Sequence, residues 1–302
     1  MGGLYMIERI PLRECGFNTG KKARLHRVLH DFGLRNGTAL FLPYDQGLEH
    51  GPRDFFANPF ASDPKYIIRL AIEGGFNAIA IQIGLAEKFY WDFAGEVPLI
   101  LKLNGKSDIP PDARALSSVH TSVEDAVRLG ADAVGYTLYV GSPAQNEDFA
   151  QFRQIRSDAE KFGMPLIVWS YPRGEAIDAK GGNTSFYAID YAARIASELG
   201  ADIVKVNFPH PDLRSNVKKE YDAEFTSQEA INAVVRSANK TLVIVSGGEK
   251  AGDAAMFEKA RETMEAGGTG LIFGRNVWQR DHDASLRFAN ALRESLSEYP
   301  SH

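Results

Sequence analysis

Cysteine is nearly missing from this 302-residue chain. Cys15 stands alone, so no disulfide framework can form within it, and such usage fits a reducing compartment. No apolar run approaches the roughly 20 residues that a membrane-spanning helix needs. Residues 1–20 lack the apolar core of a secretory signal. An excess of basic charge is also lacking: 34 Lys and Arg against 39 Asp and Glu give a formal charge of -5. That balance speaks against a nucleic-acid or anionic-membrane partner, either of which selects a basic face. The one basic run, Lys21-Lys22-Ala23-Arg24-Leu25-His26-Arg27, reads as a solvated helix face. Familiar catalytic signatures are absent too. No Gly-x-Gly-x-x-Gly follows the first apolar run, and no Gly-x-Ser-x-Gly follows any. The seven histidines (His26, His30, His50, His120, His210, His282 and His302) show no zinc-site spacing, although His50 and His210 are able to meet in space. What remains, 44% hydrophobic and 24% charged residues, is ordinary globular composition. The expectation is a soluble cytoplasmic protein.

What is present is a rhythm. Eight short apolar runs, at 39–44, 77–83, 98–103, 132–138, 165–169, 202–206, 241–245 and 269–273, have the length and β-branched content of buried strands. Helix-like stretches lie between them at 64–73, 122–129, 148–162, 186–199, 227–238 and 253–266. Ser122 and Thr226 stand where N-caps belong. One theme recurs before the strands: Gly74-Gly75-Phe76-Asn77, Gly130-Ala131-Asp132, Gly200-Ala201-Asp202 and, more loosely, Gly267-Gly268-Thr269. Each reads as a glycine C-cap turning straight into a strand. Eight such units predict an α/β protein, a single-domain (β/α)₈ barrel over 39–302. The competing doubly wound open sheet lacks its glycine fingerprint. Residues 1–38 are expected to cap the barrel floor. The loops at 141–147, 172–185 and 207–226 fall on the active side, the second being a candidate lid.

In such a barrel chemistry sits where the strands stop. Asp45 and Glu49 follow strand one and bring carboxylates to the mouth. Lys102 lies inside the third run, and Trp169, Tyr171 and Arg173 end the fifth. Lys205 interrupts Ile203-Val204-Lys205-Val206, a place where a lysine is uncomfortable unless paired. Ser246-Gly247-Gly248 ends strand seven and Gly274-Arg275 ends strand eight. These two turns offer backbone N–H groups and a guanidinium to a phosphate. A buried amine, a phenol, a carboxylate and a phosphate grip suit carbonyl chemistry on a phosphorylated sugar. The amine must be neutral to attack. At the ordinary lysine pKa only about 0.04% is neutral at pH 7, and lowering it by ~3 units raises that about a thousandfold. Position alone leaves Lys102 and Lys205 both eligible.

Asp45-Gln46-Gly47-Leu48-Glu49-His50-Gly51-Pro52, Leu101-Lys102-Leu103-Asn104, Trp169-Ser170-Tyr171-Pro172-Arg173-Gly174 and Ala201-Asp202-Ile203-Val204-Lys205 together resemble the archaeal-type class I fructose-1,6-bisphosphate aldolases, a family with bacterial members. The resemblance runs from about residue 39 to 280. It implies reversible cleavage of fructose 1,6-bisphosphate to dihydroxyacetone phosphate and glyceraldehyde 3-phosphate, a step of glycolysis and gluconeogenesis. It implies a Schiff base on Lys205, proton transfer by Tyr171, an acid/base role for Asp45, and no metal or other cofactor. Substrate contacts are expected from Trp169, Lys102, Arg173 and Glu49, and phosphate contacts from Ser246, Gly247, Gly248, Gly274 and Arg275. For the second phosphate Lys102, Arg173, Lys250 and the 141–147 loop all remain eligible. Gln46 departs from the family pattern, where many members carry histidine. Homo-oligomers are usual in the family. Alternatives on the same scaffold are a transaldolase-like transferase of the 2-amino-3,7-dideoxy-D-threo-hept-6-ulosonate synthase type and, more distantly, a deoxyribose-phosphate aldolase. An isomerase working without a Schiff base is a third.

Overall fold

The computed structural model describes residues 8–215, 218–248 and 252–301. Its strands are β1 (Ala39–Pro43), β2 (Ala78–Gln82), β3 (Leu99–Lys102), β4 (Ala133–Val140), β5 (Leu166–Pro172), β6 (Ile203–Val206), β7 (Leu242–Ser246) and β8 (Gly270–Ile272). All pair in parallel and close into a barrel in the order β1-β8-β7-β6-β5-β4-β3-β2. A two-residue hairpin, Asn104–Gly105 with Ser118–Val119, rides above β3. The architecture is the (β/α)₈ barrel that the rhythm of the sequence predicts.

The period of two along each strand separates two buried clusters. One lies between strands and helices. The other fills the barrel and includes Phe41, Ile100, Ile167, Trp169, Ile203, Ile244 and Ile272. From β2 and β4 only Ala78, Ala80 and Ala133 join this cluster. Space at the lower end is taken by Leu25, Val28 and Leu29, from α1 (Thr19–His26) and the π-helical turn after it, which join the same cluster.

The recurring glycine turns have a specific geometry. Gly75, Gly130, Gly200 and Gly267 all adopt left-handed φ, between 63° and 97°, and send the chain straight into the next strand. The polar residue after each of the first three turns does further work. Asn77 accepts from the Leu40 amide at 2.8 Å and donates to the carbonyls of Val28 and Phe32. Asp132 takes both bonds of Arg27, and Asp202 accepts from the Leu166 amide while meeting the Lys21 ammonium at 3.0 Å. So the same position that registers a strand also holds the floor segment. This corrects the reading of the basic run as a solvated face. Lys21 is only 4% exposed and is shared between Asp202 and Glu160, while Arg24 donates to the Gly163 carbonyl. Burial pushes the Asp202 carboxyl up, although Lys21 opposes it.

The six helices read from the sequence form close to where they are expected. Ser122 and Thr226 each build a capping box, with Asp125 and Glu229. Among the described residues five further helices were not anticipated: short ones at Gln46–His50, Ile83–Phe89, Glu175–Asp178 and Arg275–Trp278, and the long closing one at His282–Ser297, while α1 falls on the basic run. No helix among the described residues is long and apolar enough to cross a membrane.

Lys21→Met leaves Asp202 charged, buried and unpaired, and is expected to cost about 3 kcal/mol. A clear drop in thermal midpoint is the result to look for, partly recovered by adding Asp202→Asn. An unchanged midpoint would show that this clamp contributes nothing.

Candidate active site

A cavity of about 640 Å³ opens at the carboxyl ends of the strands. Its walls include Asp45, Glu49, Trp169, Tyr171, Arg173 and Lys205 on one side, and Ser246, Gly247, Gly248, Gly274 and Arg275 on the other. Eleven of the twelve residues singled out in the sequence therefore share one space. Lys102, the twelfth, sits one layer behind the wall. A second cavity, about 750 Å³, lies at the barrel floor among Cys15, Lys21, Arg156 and Asp202. It is larger, but Lys21 and Asp202 belong to the clamp already described and it holds none of the strand-end groups.

Lys205 points inward from the middle of β6, paired with Trp169 on β5 and Ile244 on β7. It is 5% exposed, and Nζ donates to the Tyr171 hydroxyl. Burial lowers its pKa to about 8. Asp45 and Glu49 oppose that shift, while Lys102 and Arg275 reinforce it. At such a pKa about a tenth of the amine is neutral at pH 7. Tyr171 keeps some exposure to the cavity, yet enough protein surrounds its hydroxyl for burial to hold the phenol well above its ordinary pKa. Glu49 and Asp45 push it the same way, so the phenol stays a proton donor at neutral pH.

Trp169 stands between two cations. Its ring centroid is 4.8 Å from Lys102 Nζ and 5.4 Å from Lys205 Nζ. Lys102 is fully engaged: Nζ donates to Thr137 Oγ1 at 2.6 Å and lies 3.3 Å from Asp45. The geometry thus separates the two lysines. Lys102 is an anchor for Asp45, and Lys205 is the amine that faces the cavity. Arg173 stacks over Tyr171 at 5.4 Å and approaches Asp112 at 3.5 Å.

At the far wall Ser246 Oγ donates to Asn207 Oδ1 at 2.7 Å. Gly248 adopts a left-handed φ of 67°, and a Cβ on Gly247 would strike Asn276 at 2.7 Å. Arg275 is partly exposed, with Asp54 at 3.8 Å. Lys250, a candidate for the second phosphate, lies outside the described residues, as do Glu249 and His302.

His50 and His210 do line the same cavity, but among the described residues no group of three potential ligands could hold a metal ion. His50 is instead bonded to Asp54 at 2.7 Å. The candidate lid contains a short helix, Glu175–Asp178, and is fastened to the 207–226 segment by a bridge between Ser185 and His210. This junction brings Asn183, Thr184 and His210 into the wall. Sequence reasoning named His210 only as able to meet His50, and missed Asn183, Thr184, Asn207, Thr137 and Lys259. Asn207 and Thr137 are two residues from Lys205 and Gly135 and carry a period-two signal; Lys259, inside a helix, carries none.

Comparison with known proteins agrees with this geometry. Residues 39–280 match the DeoC/LacD family aldolases. A class 1 fructose-bisphosphate aldolase of Thermoproteus tenax is 44% identical over 261 residues, covering 86% of this chain and 90% of that protein. One from Halobacterium salinarum is 40% identical, covering 83% and 88%. A solved archaeal fructose-1,6-bisphosphate aldolase, with its catalytic Lys covalently bound to the carbinolamine intermediate of the substrate, superposes with TM-score 0.75 at 41% identity over 90% of this chain and 98% of its own. The fructose-bisphosphate aldolase from Slackia heliotrinireducens shares the fold, with TM-score 0.83 at 24% identity over 97% and 93%. The family match spans most of the sequence and the relatives are similar nearly end to end: this chain belongs to the DeoC/LacD family of aldolases.

Proposed function

We propose that this protein is a Schiff-base aldolase that reversibly cleaves fructose 1,6-bisphosphate to dihydroxyacetone phosphate and glyceraldehyde 3-phosphate without a metal. The observation that carries the reading is the enclosed Lys205 amine, held at a pKa of about 8 against the Tyr171 hydroxyl. Relatives named for this activity support the choice of substrate.

Neutral Lys205 Nζ adds to the C2 carbonyl, giving a carbinolamine. Tyr171 donates its proton to the departing hydroxyl, water leaves, and an iminium remains. Asp45 takes the proton of the C4 hydroxyl as the C3–C4 bond breaks. The bonding pair flows into the iminium to form an enamine, and the aldehyde departs. Protonation at C3 and addition of water then release dihydroxyacetone phosphate and regenerate the amine. Lys102 orients Asp45 through their 3.3 Å ion pair. Trp169, Arg173 and Glu49 line the substrate. Ser246, Gly247, Gly248, Gly274 and Arg275 take one phosphate, supported by their shared wall and the open backbone of the glycines. Arg173 is the favoured ligand for the other, since Lys102 is already engaged.

The same reading makes residues 1–38 a floor cap on the barrel of 39–302, supported by Leu25, Val28 and Leu29 within the barrel cluster. It makes the protein a cytoplasmic enzyme, in keeping with its phosphorylated substrate and single cysteine. It also makes it a homo-oligomer, supported by Phe56, Phe60, Trp91 and Ile109, all more than two-thirds exposed (78%, 74%, 69% and 88%).

Borohydride added during turnover should fix one substrate-derived group per chain, on Lys205, with chelator present throughout. Lys205→Met should neither trap nor turn over. Activity lost to chelator, or an unmodified Lys205, would sink the mechanism. The pH profile follows from the sign of the lysine shift. Because the attacking form is neutral and its pKa is about 8, kcat/KM should rise tenfold per unit below pH 8 and level off above it. Tyr171, held high, should impose no alkaline fall before pH 10. A profile flat from pH 6 to 9 would place the critical titration elsewhere. Sedimentation should give a multiple of the 33.3 kDa chain mass, and a monomer would exclude the assembly reading.

A further inference from the structure

Gly135 lies mid-strand in β4, paired with Lys102 on β3 and Ile167 on β5. It is not among the glycines with positive φ, so its backbone makes no demand for glycine. A glycine inside a regular element costs about 0.5–1 kcal/mol relative to alanine. What the residue supplies is room. A Cβ at this position would stand 2.7 Å from Trp169 Cζ3, 2.9 Å from Trp169 Cη2 and 2.9 Å from Lys102 Cδ. Neither neighbour is free to yield. Trp169 is 1% exposed and Lys102 3%, and the Lys102 ammonium is tied to Thr137 at 2.6 Å and to Asp45 at 3.3 Å. Below it, the inner face of β4 carries Ala133. The wall drops from a methyl to nothing at the level where the indole crosses the barrel.

We propose that Gly135 is a positioning residue of the amine chemistry: the side chain it lacks is the slot that seats the Trp169 indole between the Lys102 and Lys205 ammoniums. The inference rests on the Schiff-base reading and adds to it a residue that is not part of the cavity wall. A methyl at 135 has two ways to fit. It pushes the outer ring of the indole off its place beside Lys205, or it pushes the Lys102 stem and, with it, Asp45. The first disturbs the packing around the Lys205 amine, and the second moves the acid/base carboxylate. Displacement on the order of 1 Å in a positioned group costs up to about a hundredfold in rate.

The test is a double-mutant cycle on kcat and KM for fructose 1,6-bisphosphate, using Gly135→Ala, Trp169→Phe and the pair. Phenylalanine lacks the two indole atoms that the new methyl would strike. Gly135→Ala is expected to lower kcat about tenfold or more with KM changed less than about threefold. In the Trp169→Phe background the same substitution should change kcat by less than about threefold, because the space is restored. Circular dichroism and thermal midpoints report whether lost activity merely follows lost folding. Equal losses in both backgrounds, a loss that tracks the unfolded fraction, or an unchanged kcat would each overturn the slot. Should Gly135→Ala fail to fold, a paired variant that folds with the kcat of Trp169→Phe upholds the proposal, and one that also fails to fold overturns it. Wild-type trapping by borohydride separates the two levels. No adduct in the wild type brings down the aldolase reading and this inference together, whereas trapping with an unaffected Gly135→Ala removes only the slot.

Discussion

Everything at the mouth of this barrel answers to one constraint: an amine has to be kept dry enough to lose its proton, yet within reach of water-borne sugar. Burial supplies the first half and is the largest influence on Lys205. Asp45 and Glu49 work against it, since a carboxylate near an ammonium favours the charged form. The conflict is moderated by Lys102. By sitting 3.3 Å from Asp45 it absorbs much of that carboxylate's field and adds its own positive charge, which also depresses Lys205. On the proposed mechanism the base can therefore remain close to the reacting atoms without holding the nucleophile protonated.

The opposite end of the barrel obeys a different rule. There a buried carboxylate is met by a cation, Asp202 by Lys21 and Asp132 by the partly exposed Arg27, and each pair ties a strand to the 19–31 segment. Each buried carboxylate is matched by a cation, as buried ions must be if they are not to destabilise the fold. At the mouth, Arg275, Glu49 and Arg173 line the cavity that Lys205 also faces.

Much of this was legible in the sequence because it rests on short-range periodicity. Eight apolar runs gave eight strands with bounds within three residues, and the strand-end groups fell into one cavity because period-two alternation and parallel pairing leave them nowhere else to go. The choice between Lys102 and Lys205 was not legible from position. Both are inward-facing strand residues, and what separates them is long-range: Thr137 and Asp45 claim one, while Tyr171 faces the other. The basic run misled for the same reason. Its partners Asp202 and Asp132 are more than a hundred residues away, and nothing local distinguishes a clamp from a solvated face. Asn183 and Thr184 enter the wall through a bridge between two loops, a contact with no periodic signature.

The indole between the two lysines has an electrostatic consequence for the reaction coordinate. An aromatic face attracts a cation and is indifferent to a neutral amine. Above pH 8 the resting Lys205 is largely uncharged, so Trp169 gives the free enzyme little. On the proposed mechanism the nitrogen becomes a protonated iminium and carries a positive charge, and the same ring, 5.4 Å away, begins to favour it. The π-face therefore discriminates between the two ends of the covalent step without moving. It acts as a fixed bias toward the charged intermediate.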